Sequence, residues 1–205
     1  MIKTIGIVSL SRGILGEDFL HHELDLGLAR LKEFGVRVKF LPHALDGLES
    51  LAAHPEHRAQ DFLDAFRDPE IDAILCAIGG DDTYRLAPYL FSNDELKNAV
   101  TKKPFLGFSD TTLNHFMLHK LSLPTFYGQA FLPDVCELAP EMLPYTRQYW
   151  EEFQKPEPSA RSARAASGMK AARNSDPIRW ERSFRCTKTR ALSFCRDLHS
   201  SKARF

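Results

Sequence analysis

Asp72-Ala73-Ile74-Leu75-Cys76-Ala77-Ile78-Gly79-Gly80-Asp81-Asp82-Thr83 decides how the chain is read. Six consecutive apolar residues, Ala73 to Ile78, are too few for a spanning helix and too continuous for a strand with one wet face. Such a run is expected of a parallel strand covered on both faces. Gly79-Gly80 stops it, allowing close backbone approach and positive φ. Asp81-Asp82-Thr83 then opens a helix to about Leu90, its acids favourable at the positive end of the helix dipole.

The same grammar extends in both directions. Upstream, Ile2 to Ser9 reads as a short strand, and a helix from Phe19 to Phe34 carries Leu24, Leu28, Leu31 and Phe34 at helical spacing. Gly35 suits its C′ position. Val36 to Leu41 is a second strand, stopped by Pro42. His54-Pro55-Glu56 opens a helix with proline in the first turn. Its apolar face is Ala59, Phe62, Leu63 and Phe66. Downstream, Pro104 to Gly107 is a strand, Ser109-Asp110-Thr111-Thr112 turns into a helix through about Leu121, Pro124 to Tyr127 is extended, and Pro140 to Phe153 is a last helix. Strand–helix alternation at this density predicts an α/β domain of three layers, with a mostly parallel sheet between helices.

The pattern stops near residue 154. The net charge of the 205 residues is zero, yet residues 155–205 hold 13 of the 27 basic and only 4 of the 27 acidic residues. That segment is therefore +9 and residues 1–154 are −9. Nine Arg and eight Ser lie in it without apolar periodicity, so a basic tail of low order is expected. A frameshifted or damaged gene would explain the simultaneous loss of pattern and acidity. A nucleic-acid-binding tail is the lesser reading, because no recognised motif accompanies the charge. Glu181 and His199 lie there without a context that suggests chemistry. No apolar run reaches the length of a membrane span, and the N-terminus lacks a signal peptide's pattern, so a cytoplasmic protein is expected. The cysteines, Cys76, Cys136, Cys186 and Cys195, form no CxxC pair. Neither disulfides nor a zinc knuckle is expected, and Cys76 reads as a buried small hydrophobe.

Two stretches carry candidate chemistry. In Phe105-Leu106-Gly107-Phe108-Ser109-Asp110-Thr111-Thr112 a strand delivers a serine onto a tight turn into a helix. That geometry exposes Oγ at the carboxyl edge of the sheet and aims helical N–H groups at a developing oxyanion. The plainer alternative is a helix cap. In the second stretch, Gly79 and Gly80 could supply an oxyanion N–H or cradle an anion; the plainer alternative is a tight turn. A resemblance of Gly79-Gly80-Asp81-Asp82 to the nucleotide-cyclase signature is set aside, since here the string follows a buried strand and opens a helix. His115 and His119 have metal-ligand spacing, but Phe116 stands where a zincin needs glutamate. They read as ordinary helix histidines. Asp81 and Asp82 read as helix-start acids rather than metal ligands, and His54 and His57 as capping or surface residues. His21 and His22 carry no signal.

In combination, Ile5-Gly6-Ile7-Val8-Ser9, His54-Pro55-Glu56-His57-Arg58-Ala59, Ala73 to Leu86, Lys103 to Thr112 and Phe126-Tyr127-Gly128-Gln129-Ala130-Phe131 resemble the LD-carboxypeptidase family. Within it, the branch of microcin C immunity peptidases is most similar. The resemblance covers residues 1–154 and implies the nucleophile-bearing domain of a two-domain cytoplasmic serine peptidase, often a homodimer. It implies a Ser-Glu-His triad, no metal and no cofactor. Ser109 would be the nucleophile, and the N–H groups of Asp110 and Gly80 the oxyanion hole, with Gly79 beside them. The glutamate and histidine would come from a C-terminal domain that the sequence beyond residue 154 does not resemble. The implied substrates are murein tetrapeptides with a free C-terminal carboxylate or peptidyl-nucleotides of the microcin type. Without that base, little or no turnover is expected; the alternative is a non-catalytic module that keeps the substrate-binding cleft.

Overall fold

A computed structural model describes residues 2–154. The expected tail, with Glu181, Cys186, Cys195 and His199, lies outside the described residues. The chain runs β1 (Thr4–Val8), α1 (His21–Glu33), β2 (Arg37–Phe40), α2 (Gly47–Ala53), α3 (Pro55–Arg67), β3 (Ala73–Cys76), α4 (Ala87–Phe91), α5 (Glu95–Ala99), β4 (Phe105–Gly107), α6 (Thr112–Lys120), β5 (Phe126–Tyr127) and α7 (Pro144–Phe153). Short 3-10 turns and one π-turn, Phe131–Val135, join them.

The five strands form one sheet in the order β2-β1-β3-β4-β5, and every pairing is parallel. Alternation along each strand sends side chains to opposite faces. Ile5, Ile7, Ala73, Leu75 and Leu106 meet Leu31 of α1 and Trp150 and Phe153 of α7. Val8, Ile74, Cys76 and Phe105 meet Phe62 and Phe66 of α3, Leu90, Leu96 and Leu118. Three layers result, as the continuous apolar strands predict.

Local signals act where expected. Pro55 sits at the start of α3, and Gly35 takes φ +70 after α1. The expected single helix from Asp81 to Leu90 is broken. Thr83–Leu86 form a 3-10 turn and only Ala87–Phe91 are α-helical. Pro88, which has no N–H, sits in the first turn of that short helix. Asn93 and Asp94 adopt left-handed backbone and separate it from α5. Neither Gly79 nor Gly80 has positive φ, contrary to expectation. Among the described residues no helix is long and apolar enough to cross a membrane.

The strand order places a topological switch between β1 and β3. Connections leaving the two strands run to opposite faces, opening a crevice at the carboxyl edge. The loops after β1, β3 and β4 therefore converge there.

Candidate active site

Ser109 is exposed on the turn from β4 into α6, with φ +60. A left-handed serine costs on the order of 1 kcal/mol and persists only where its surroundings hold it. Several contacts do so. Its N–H donates to Tyr127 Oη at 3.3 Å, its carbonyl accepts from the Thr112 hydroxyl, and that hydroxyl also lies 3.2 Å from Tyr127 Oη. No side-chain hydrogen bond caps this turn or α6, so the serine oxygen is not spent as a helix cap.

Gly79 faces it. A Cβ on Gly79 would sit 2.8 Å from Ser109 Cβ and 3.0 Å from its Oγ. Glycine is thus required for space rather than for an unusual φ. At Gly80 a Cβ would collide with Ser11 Oγ at 2.1 Å. The Gly79 carbonyl accepts from Arg12 N–H at 3.3 Å, toward the β1 loop. In a planar trans peptide the N–H of Gly80 points away from that carbonyl. Asp110, second residue of its 3-10 turn, has an N–H without an intrahelical acceptor. Its nitrogen is 3.3 Å from the point a Gly79 Cβ would occupy.

The acids have other work than helix capping. Asp110 Oδ2 accepts from the Ser11 hydroxyl at 2.6 Å and from Thr83 N–H at 2.9 Å. Ser11 Oγ in turn accepts from Asp81 N–H at 3.1 Å. Thr83 Oγ1 donates to Asn114 Oδ1 of α6 at 2.9 Å. Asp82 receives both guanidinium nitrogens of Arg58, at 2.7 and 3.1 Å, with Arg85 3.3 Å away. Arg58 is wholly buried on α3 and also donates to the Ser11 carbonyl at 3.0 Å. Burial pushes the Asp82 carboxyl up, but the two arginines outweigh it and hold the group below its ordinary range. Asp82 does stand at a helix start, immediately before Thr83–Leu86, but its side chain caps no N–H and is held by the two arginines. One network ties the loops after β1, β3 and β4 to α3 and α6.

His115 belongs to the frame. Its Nε2 lies 3.0 Å from the Gly107 carbonyl and its Nδ1 2.8 Å from Thr125 Oγ1. A carbonyl only accepts, so Nε2 carries the proton and the threonine hydroxyl donates to Nδ1. Burial lowers its pKa to about 4 despite the Gly107 carbonyl. Both ring nitrogens are engaged, as befits an ordinary helix histidine. His119 is exposed. Cys76 is fully buried, and burial drives its thiol pKa up. Among the described residues no imidazole or carboxylate is hydrogen-bonded to Ser109 Oγ.

Ser109, Asp110, Gly79 and Gly80 thus converge. Arg58, Thr83 and Tyr127 stand in stretches that carry the resemblance but had no role assigned from the sequence; Ser11 and Asn114 were not singled out. Arg58 left a further signal there, a lone cation one turn before Phe62 on an apolar face.

The LD-carboxypeptidase N-terminal domain model matches residues 5–128. The chain belongs to the LD-carboxypeptidase family. The probable murein peptide carboxypeptidase of Bacillus subtilis (strain 168) is 37% identical over 118 residues, 55% of this chain and 35% of the relative. The microcin C7 self-immunity protein MccF of Escherichia coli is 37% identical over 86 residues, 42% of this chain and 24% of the relative. Among solved structures, an MccF-like protein from Streptococcus pneumoniae in complex with AMP superposes with a TM-score of 0.74 at 62% identity, covering 75% of this chain and 45% of that one. The match thus spans about a third of the first relative and less than half of the solved structure.

Proposed function

We propose that this LD-carboxypeptidase domain carries the nucleophile half of a serine-type amide hydrolase, with Ser109 attacking the scissile carbonyl. The N–H groups of Asp110 and Gly80 receive the oxyanion. The observation that carries the reading is the left-handed, exposed Ser109 at the β4–α6 turn, with Gly79 pressed against it. A serine whose oxygen neither caps a helix nor bonds a carboxylate is available for acyl transfer. The Asp110 clamp supports the same reading, because it holds the following N–H in place before charge develops.

The substrate is a small peptide with a free C-terminal carboxylate or an aspartyl-nucleotide. The 62% identity to an MccF-like protein in complex with AMP favours the nucleotide conjugate; the murein peptide carboxypeptidase relative keeps the LD-tetrapeptide as the second reading. Serine needs a base to attack near neutral pH, and His115 is committed to Gly107 and Thr125. The chain alone is therefore expected to turn over slowly, at the residual rate that oxyanion donors and binding sustain.

Incubation of the full chain with an aspartyl-adenylate analogue and with an LD-tetrapeptide tests this. Slow release of aspartate or of the terminal D-alanine, lost in Ser109→Ala, is expected. Turnover that survives Ser109→Ala would sink the assignment.

A further inference from the structure

Three histidine rings lie on one another beside β2. His43 follows that strand, His54 precedes α3 and His57 stands in its first turn. The ring of His57 is stacked between the others, its centroid 4.3 Å from that of His43 and 4.7 Å from that of His54. The outer two have acidic partners at Nδ1: Asp61 at 2.8 Å for His43, Glu56 at 2.9 Å for His54. His57 differs. Its Nδ1 is buried and has no hydrogen-bond partner among the described residues. Leaving a buried polar atom unmatched is unfavourable. Asp46 brings a carboxylate to the same place. Donor atoms of His43, Asp46 and His57 all lie within 4.8 Å of one another.

We propose that His43, Asp46 and His57 form a binding site for a divalent transition metal of the Zn2+ type. Two imidazoles and a carboxylate make a borderline nitrogen–oxygen set, suited to Zn2+ rather than to Mg2+ or Ca2+. Asp61 fixes the orientation of His43. It is buried, with a side chain only 2% exposed. One of its oxygens accepts from the His43 backbone N–H at 3.0 Å and the other from the ring. That contact makes Nδ1 the protonated nitrogen and leaves the Nε2 lone pair for a metal, the arrangement in which a carboxylate orients a histidine ligand. His57 ligates through its unmatched Nδ1. Asp46 is exposed and His43 half-buried, so the ion enters from solvent and keeps water in its fourth position. Metal–nitrogen bonds of about 2.0–2.1 Å bring the two nitrogens to roughly 3.5 Å. The rings of His43 and His57, now 20° from parallel, therefore tilt out of their stack on binding. The ion joins the loop after β2 to the first turn of α3, one residue before Arg58.

The test uses the full chain, stripped with a chelator and titrated with Co2+ and then Zn2+. Expected is the visible absorption of four-coordinate Co2+, displaced by one equivalent of Zn2+. Asp46→Asn, at an exposed position where folding is not at stake, and His57→Gln each weaken binding at least about tenfold. Asp61→Asn weakens it about 10- to 100-fold through His43. His54→Ala changes it less than twofold. Affinity in Asp46→Asn and His57→Gln equal to that of the native chain overturns the proposal. So does a thiolate charge-transfer band that persists in His57→Gln, which would assign the metal to cysteine. Loss of binding in His54→Ala with Asp46→Asn unaffected overturns it as well.

Discussion

The turns that follow β3 and β4 leave adjacent parallel strands at the same edge of the sheet, yet they are built on opposite principles. After β4 the backbone is strained and the principal side chain is free: Ser109 sits at φ +60 with an exposed hydroxyl. After β3 neither glycine takes positive φ and the side chains are committed: Asp82 to two arginines, Thr83 to Asn114. Strain is stored where chemistry is proposed, and hydrogen bonds are concentrated beside it. The carboxylate of Asp110 crosses between the two turns, to Ser11 and Thr83. A strained turn of this kind needs a rigid neighbour, because a left-handed serine left to itself relaxes.

The contrast can be broken from either side. The largest effect is expected from the holding turn. Arg58→Ala leaves the half-buried Asp82 carboxylate without its bidentate partner and should cost about 3–5 kcal/mol in urea unfolding of the full chain. A loss under about 1 kcal/mol would mean that the pair does not carry the network. A double-mutant cycle with Asp82→Asn would isolate the coupling.

Next comes the frame beneath Ser109. Burial lowers the His115 pKa to about 4, below its unfolded value near 6.5. A depressed histidine binds more protons unfolded than folded. Its contribution is complete above pH 6.5 and is lost as pH falls from about 6.5 to 4. The loss is on the order of 3 kcal/mol. Urea midpoints across that window should fall in the native chain and flatten in His115→Gln. Parallel curves would show the ring to be more solvated than its two hydrogen bonds imply.

Gly79→Ala attacks the contact between the turns. Its methyl group would lie 2.8 Å from Ser109 Cβ, and overpacking of this kind costs about 1–3 kcal/mol. Turnover dependent on Ser109 should fall further than stability does. Stability unchanged within error would show that the turns can slide apart. The smallest effect has the opposite sign. Ser109→Gly removes a left-handed non-glycine residue and should stabilise the fold by about 1 kcal/mol while removing the proposed nucleophile. Destabilisation instead would mean that the Ser109 side chain packs more than it strains.

Much of the architecture was legible in local pattern. Ala73 to Ile78 announced a strand covered on both sides, and it stands at the centre of the sheet. Pro55 and Gly35 marked ends because their constraints are intrinsic to the residue. What escaped was short or set from outside. The helix α2 has seven residues and α5 five, too few for a convincing period. The 3-10 segment Thr83–Leu86 replaces an expected helical turn where Thr83 and Asp82 are held by Asn114, Arg58 and Arg85. His57 read as a surface or capping residue, because nothing in its own neighbourhood reveals His43 lying against it.

The sequence by itself determined the parallel α/β domain, the position of Ser109 at a strand-to-helix turn and the glycines opposite. Each follows from periodicity or from the conformational limits of single residues. Only the tertiary structure decided that Gly79 is there for space rather than for φ, and that Arg58 anchors Asp82. It also decided that Asp110 fastens three loops and that three histidines share one stack. Those facts depend on contacts between residues as much as 99 positions apart, as Ser11 and Asp110 are. Local periodicity carries no record of distance across the fold.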